Sequence, residues 1–480
     1  MEEDIVKSLS VEGIITEKIE TPLVDALEYI QNHPMVQFHI PGHTKGAGLY
    51  KRFKEIVDKG ACFLDTTDEF NNIGTLHPAT GSVQKSQELC AEALGGAHSY
   101  FLLNGSSVGN FALALTCTKP DSKVIIGRNC HRSVITGLVM TGAQPLWLTP
   151  QKHENWSVWG GVNPSDVEKT LRENNDVSMV WVTSPTYEGI VSDVEAIAQV
   201  CRKYNVTFVV DEAHGALWNF SDNMPQGALH LGADAVVHSM HKTAGSFSQS
   251  SVLTLSHNSR INPKVIENNL RLLHTTSPSV LLLASLDAAR AYLSSLEGKD
   301  AIENAVKNAN YIKNELKNVP KVRVLTKEDG FLLEPARVYL MLEDLCGRRL
   351  ENILKIEYNI EIEASTDNGI LALSNIGGSF EDALYFVKAV KEIAAKEHSD
   401  ISYLEDYKFM PLLEPEIVMT PREAFYKEFE MVDTPDCVGR ISADLIAECP
   451  PGIFVLAPGE LISNKHLPYL ANYKSIKVLK

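Results

Sequence analysis

From about residue 60 to 260 the chain alternates short, almost continuously apolar runs with helical stretches, and this alternation limits the fold more than any other feature. The runs are SYFLLNG (99–105), KVIIGRN (123–129), QPLWLTP (144–150), VSMVWVTSP (177–185), VTFVVDEAHG (206–215), DAVVHSMHK (234–242) and SVLTLS (251–256). A strand that is apolar at every position, not every second one, has both faces covered, as in a mostly parallel sheet between helical layers. Between two runs, Ser192-Asp-Val-Glu195 has capping-box spacing, and Val194, Ile197, Ala198 and Cys201 follow at helical spacing, which predicts a crossover helix. Polar residues collect at the carboxyl ends of the runs, where such sheets bind ligands.

Residues 286–318 read as helix, and 320–395 mix strands (KVRVLT, ARVYLML, ILALSN) with the amphipathic FEDALYFVKAVKEIAAK. The polar EHSDISYLEDY precedes a Pro-rich, turn-rich stretch of short strands. The expected organisation is an N-terminal segment (1–60), an α/β large domain (61–312), a small α+β domain (313–398) and a C-terminal domain (399–480).

Lys plus Arg at 44 against Asp plus Glu at 61 gives a net charge of −17, which disfavours nucleic acid and anionic membranes and tolerates cationic small molecules. Eight cysteines with no C-x-x-C pair fit reduced thiols better than a disulfide framework or a zinc site. The acidic MEEDIVKSLS start has no apolar signal core, and the run Val280 to Ala284 is far short of the roughly 20 residues a membrane span needs. A cytoplasmic location is expected.

Three elements carry chemistry. Ser239-Met240-His241-Lys242 puts a lysine at the end of an apolar strand, where partial desolvation makes an amine nucleophile able to form a Schiff base; alone, it also fits a solvated or salt-bridged lysine. Asp211 ends the strand one βα step earlier and, if buried, needs a cationic partner such as a pyridinium nitrogen; an N-cap is the alternative. Asn104-Gly105-Ser106-Ser107-Val108-Gly109 joins a strand to a helix and suits a phosphate, although either serine could simply cap the helix. Neither G-x-G-x-x-G nor a Walker motif is present in that loop, which weighs against NAD and nucleoside triphosphates. His131, His214 and His241 follow successive strand ends and could stack on a cofactor ring or carry a proton. His39 and His43 in HIPGH have metal-pair spacing, but Pro41-Gly42 would break the helix required, so the motif reads as a turn and no metal is expected.

These motifs, with QFHIPGHTKGAG (37–48), RNCHRS (128–133), SPTYEG (184–189), HTTSP (274–278), MTPREAFY (419–426), GRISA (439–443) and CPPGIFVLAPGE (449–460), resemble in content and order the pyridoxal-phosphate-dependent ornithine/lysine/arginine decarboxylases. That family has the aspartate aminotransferase fold type (fold type I, PLP-dependent transferase-like), and this chain is most similar to its short bacterial arginine decarboxylase type, which lacks a receiver-like N-terminal domain. The resemblance covers nearly the whole chain. It implies that Lys242 binds pyridoxal 5'-phosphate, Asp211 pairs with the pyridinium nitrogen and His131 stacks on the ring. It also implies that Ser106, Ser107 and Ser239 hold the phosphate and that His214 lies beside the cofactor. Family members are dimers or assemblies of dimers with interfacial active sites, so Thr275 would reach the partner's phosphate.

The implied reaction is decarboxylation of a basic amino acid, arginine first and lysine or ornithine next, in polyamine synthesis. His241 or Lys242 would protonate Cα, with the choice open. Asp68, Glu69 and Glu460 are candidates for the substrate's distal cation. Other readings are an aminotransferase or aldolase, since the fold does not select which Cα bond breaks, and a catalytically silent regulatory homologue. One departure bears on substrate identity: Asn72-Ile73-Gly74-Thr75-Leu76-His77 stands where relatives carry an acidic L-D-D-L-H-like stretch.

Overall fold

All seven apolar runs are strands of one sheet: β1 (His98–Leu102), β2 (Lys123–Gly127), β3 (Gln144–Leu148), β4 (Val177–Thr183), β5 (Thr207–Asp211), β6 (Ala235–His238) and β7 (Ser251–Leu255). In this computed structural model, which describes residues 32, 35–39, 41–64, 73–398, 413–448 and 453–480, their order is β1-β7-β6-β5-β4-β2-β3. β7 runs antiparallel to both neighbours and the other pairs are parallel. Successive side chains enter different cores, which is why the runs do not alternate. Val124, Ile126, Met179, Trp181, Val209 and Val237 pack with residues of α1 (Gly105–Cys117) and α2 (Arg132–Thr141). Ile125, Val180, Val182, Phe208, Val210 and Val236 pack with α3 (Val194–Lys203).

One local expectation is corrected and one alternative is set aside. The cap of α3 is Asp193, whose Oδ1 accepts from Ala196 N at 3.1 Å. Ser192 is buried and its N–H is held by Ser184 Oγ at 3.1 Å, so the helix opens one residue later, on a carboxylate that also complements the helix dipole. Neither Ser106 nor Ser107 caps α1: both lie in its first turn, with Asn104 at the cap position.

After β6 comes the short helix α4 (Met240–Thr243), then α5 (Val280–Leu293) and α6 (Leu296–Leu316). A four-stranded antiparallel sheet follows, built from β8 (Val322–Val324), β9 (Arg337–Leu342), β10 (Ala364–Ser365) and β11 (Ile370–Leu373) in the order β8-β9-β11-β10. Helix α7 (Phe380–Ala394) packs on α6 and opens on a capping box between Ser379 and Asp382. The C-terminal part holds α8 (Pro421–Tyr426) and the antiparallel pairs of β12 (Phe429–Asp433) with β15 (Ser475–Leu479) and β13 (Ile446–Glu448) with β14 (Ile453–Leu456). Its own core includes Cys437, Leu456, Ile462 and Val478, while Phe454 and Ala457 join the core of the large sheet. The described residues from Gln37 onward form one compact unit.

Candidate active site

Because β1, β2, β4, β5 and β6 run the same way, the loops after them meet on one edge, and nearly every predicted site residue lies there. Lys242 sits in α4, directly after β6, with its backbone N–H on Ser239 O at 2.9 Å. Its Nζ is 2.9 Å from His214 Nε2. Burial pushes this ammonium below the ordinary lysine range against the pull of the Asp211 carboxylate; Arg337 lowers it further and Glu363 opposes. Burial, then the Lys242 charge, holds His214 well below its usual value, so its ring is neutral. If Lys242 donates to Nε2, the His214 proton is on Nδ1, a buried atom without a hydrogen-bond partner. A lysine with a lowered pKa held against a neutral acceptor is a poised amine nucleophile.

Within HIPGH, Gly42 and His43 begin a turn that runs to Gly48, and this turn braces the lysine. Gly42 N–H donates to His241 O at 3.3 Å, and a Cβ on Gly42 would lie 2.8 Å from Thr243 Cα and 2.9 Å from Lys242 O, so only glycine permits the approach. His43 Nδ1 accepts from Gly46 N at 3.0 Å inside the turn. His241 directs Nδ1–H at Ser250 O, 2.8 Å away, and burial lowers its pKa against that bond.

Asp211 is 2% exposed and forms no salt bridge among the described residues. Its Oδ1 accepts from Ala213 N at 3.2 Å and its Oδ2 from Asn110 Nδ2 at 3.0 Å. The same Asn110 amide donates to Ser133 Oγ at 2.9 Å, which lies 2.8 Å from His131 Nδ1. Ser133 N–H also donates to that Nδ1, at 3.2 Å, so neutral His131 carries its proton on Nε2. A continuous polar chain therefore joins the Asp211 carboxylate to the His131 ring.

At the start of α1, Gly105 adopts φ +66°, and a Cβ there would have nothing within 4 Å, so the left-handed backbone rather than space favours glycine. Ser106 Oγ and Ser239 Oγ are hydrogen-bonded, bringing the first turn of α1 and the end of β6 together, with Ser107 beside them in the same turn. Two hydroxyls and a helix N-terminus at one point make an anion cradle. Thr275 is exposed, and its Oγ1 accepts from Ser277 N at 3.2 Å in its own turn. Its neighbour His274 accepts from Leu103 N at 3.4 Å and stacks on His77, whose Nε2 lies 2.6 Å from His274 Nδ1.

The structure redirects one candidate and adds others. Glu460 does not face a substrate: it is buried and doubly bonded to Arg128, because a carboxylate without solvent binds the nearest guanidinium. Asp68 and Glu69 lie outside the described residues. Of Asn72–His77, residues 73–77 are described and form a tight loop in which Thr75 N bonds Thr80 Oγ1 at 2.8 Å. Asn110, Ser133, Arg337 and Glu363 were missed. Asn110 left a signal, a buried amide within the apolar helical run NFALALTCT. Glu363 accepts from Tyr187 OH at 2.9 Å, and the Tyr187 ring stands edge-on to His214 at 5.5 Å.

Known proteins resemble this chain in sequence and fold. The family model described as Orn/Lys/Arg decarboxylase, major domain, matches residues 21–344, and that for the family's C-terminal domain matches residues 404–478. The chain belongs to the Orn/Lys/Arg decarboxylase family. It is 33% identical to an arginine decarboxylase of Bacillus anthracis over 461 residues, covering 94% of this chain and 92% of the relative. An arginine decarboxylase of Bacillus subtilis is also 33% identical, over 94% of this chain and 93% of its own length. The solved structure of lysine decarboxylase A from Pseudomonas aeruginosa superimposes with a TM-score of 0.76 at 20% identity, covering 96% of this chain and 80% of that one. The family identifies the chain as an amino acid decarboxylase, and the expected fold type I architecture is borne out.

Proposed function

We propose that this decarboxylase uses pyridoxal 5'-phosphate to convert arginine to agmatine and CO2. The observation that carries the cofactor reading is Asp211, a buried carboxylate with two neutral donors and no salt bridge among the described residues, on the same strand edge as Lys242. A protonated ring nitrogen is the complement such a carboxylate lacks. The Ser106–Ser239 cradle fits a phosphate, the exposed His131 fits a ring face, and the unpartnered Nδ1 of His214 fits a polar edge. Bound pyridoxal phosphate supplies the electron sink for the pair left when CO2 departs.

The chain's own residues do the rest. Asp211 holds a proton on the ring nitrogen, and Ser106, Ser107, Ser239 and the α1 N-terminus bind the phosphate. Lys242 supplies the amine that anchors the cofactor, and Lys242 or His241 returns a proton to Cα. Arginine is favoured because the relatives matched over nearly their whole length are named arginine decarboxylases. For the guanidinium we assign Glu363: besides Asp211, it is the carboxylate among the described residues whose charge acts on Lys242. The reading also includes a homodimer in which Thr275 reaches the partner's site, a cytoplasmic location in keeping with the free described cysteines, and a role in polyamine synthesis.

The test is CO2 and amine release from arginine, lysine, ornithine and glutamate. Arginine is expected to lead lysine in kcat/KM by about tenfold or more, a 1.4 kcal/mol preference. No release from any cationic amino acid overturns the reading. Glu363→Gln should raise KM for arginine about 10- to 100-fold with kcat within about threefold, as expected for losing one charged contact in the pocket. Unchanged KM would remove Glu363 from substrate recognition.

A further inference from the structure

The C-terminal domain reaches the active site through one buried ion pair. Arg128 follows β2 and precedes Asn129, Cys130 and His131, the N-cap of α2. Its Nη1 donates to Glu460 Oε1 at 2.8 Å and its Nη2 to Glu460 Oε2 at 2.9 Å, a two-pronged match; Nη2 also donates to Val455 O at 2.9 Å. The guanidinium carbon lies 4.9 Å from the Phe454 ring centroid and 5.6 Å from that of Trp147. Glu460 is fixed in turn by Ala457 N–H on Oε2 at 3.0 Å and by its own carbonyl, which accepts from Ser442 N at 2.8 Å. Side-chain exposures of 1% and 2% leave neither charge in water.

The loop between Arg128 and His131 is held by three hydrogen bonds and by the burial of Cys130 in the core. Arg128 N bonds Leu148 O at 2.8 Å, Cys130 N bonds Gly127 O at 3.1 Å, and Asn129 Nδ2 bonds Gly160 O at 3.2 Å. Beyond these, among the described residues every hydrogen bond of the Arg128 side chain goes to C-terminal atoms, those of Glu460 and Val455, while its guanidinium faces the Phe454 and Trp147 rings. The Ser133–Asn110 chain fixes the rotation of the His131 ring. Where the ring sits depends on the loop.

We propose that Arg128 and Glu460 are positioning residues: the C-terminal domain, through their pairing, sets the placement of His131 against the cofactor ring. The inference rests on the cofactor reading for what His131 meets, but not for the pairing itself. A structural role alone predicts something different. Replacing a buried ion pair with apolar side chains of similar volume commonly leaves stability unchanged, whereas removing one partner strands a charge. If the pair served only to hold the domains together, restoring stability would therefore restore function.

The variants are Glu460→Gln, Arg128→Lys and the double variant Arg128→Met/Glu460→Met, all in the full chain. For each that folds, three quantities are measured: apoprotein melting temperature, pyridoxal phosphate Kd from its visible band, and the rate at which diethyl pyrocarbonate modifies His131 in the apoprotein, followed by peptide mass. The double variant is expected to melt close to the unaltered protein, yet show Kd raised at least about fivefold and His131 modification changed at least about threefold, as for coupled neighbours in one network. Smaller changes in either quantity, in every variant that folds, overturn the proposal. If the unaltered protein shows no visible band with pyridoxal phosphate, the cofactor reading fails by itself. The His131 arm, read on apoprotein, still decides whether the pair positions that ring.

Discussion

Lys242→Ala is expected to reduce decarboxylation by about 10³-fold or more, more than about 4 kcal/mol of transition-state stabilisation, and to abolish the visible band of lysine-bound cofactor. The size follows from the geometry: this amine is proposed both to anchor the cofactor and to carry a proton, and among the described residues no other lysine hydrogen-bonds within the chain of contacts joining His214, Asp211 and His131. A band that survives the substitution, or activity within tenfold, would end the assignment. Stability should move differently. Burial lowers the Lys242 pKa in the folded apoprotein, so the native state holds its proton less tightly than the unfolded chain. Below the folded pKa both states are charged and the native state bears the full desolvation cost; the cost fades as pH rises through the folded pKa toward the unfolded value of about 10.4. Lys242→Met, which keeps the stem but not the charge, should therefore melt above the unaltered apoprotein at neutral pH, with the advantage shrinking at alkaline pH.

How legible the site was depended on how local its logic is. Lys242, Asp211, His131 and the 104–107 loop each end an apolar run, and in a doubly covered sheet a polar residue at that point has few places to go except the ligand edge. The strands were readable for the same reason: Trp181 and Ile125 are buried because both sheet faces are covered, and burial leaves an unbroken apolar string. Contacts that join distant segments leave no such string. Arg128 and Glu460 are separated by 332 positions, and nothing adjacent to Glu460 in APGE shows that its carboxylate is taken. Ser192 illustrates a finer limit, since capping-box spacing fits Ser192 and Glu195 while the fold spends the Ser192 backbone on Ser184. Thr275 carries no local signal of its own, and among the described residues its hydrogen bonds lead only to Ser277.

Asp211→Asn is expected to cut kcat about 10²- to 10⁴-fold, with KM changed much less, because the negative charge acts mainly on the charge that develops during reaction. The amide is nearly isosteric, so packing against Asn110 and Ala213 survives in outline. Hydrogen bonding does not: the two carboxylate oxygens now accept from Ala213 N and Asn110 Nδ2, and an asparagine offers one oxygen and one NH2, setting a donor against a donor. That mismatch should cost about 1–3 kcal/mol of stability, too little to unfold an ordinary domain and measurable as a lower melting temperature. A purely structural Asp211 would stop there, with kcat within tenfold. The electrostatic role makes a further, independent demand. The Asp211 carboxylate pulls the Lys242 pKa upward against burial, so neutralising it lets that pKa fall. In the apoprotein at neutral pH a larger share of Lys242 is then the free amine, and its reaction with an amine-selective reagent should quicken relative to the unaltered protein. Slower or equal labelling, beside a large fall in kcat, would mean that Asp211 acts on the cofactor alone and that the carboxylate–lysine coupling has no part in poising the nucleophile.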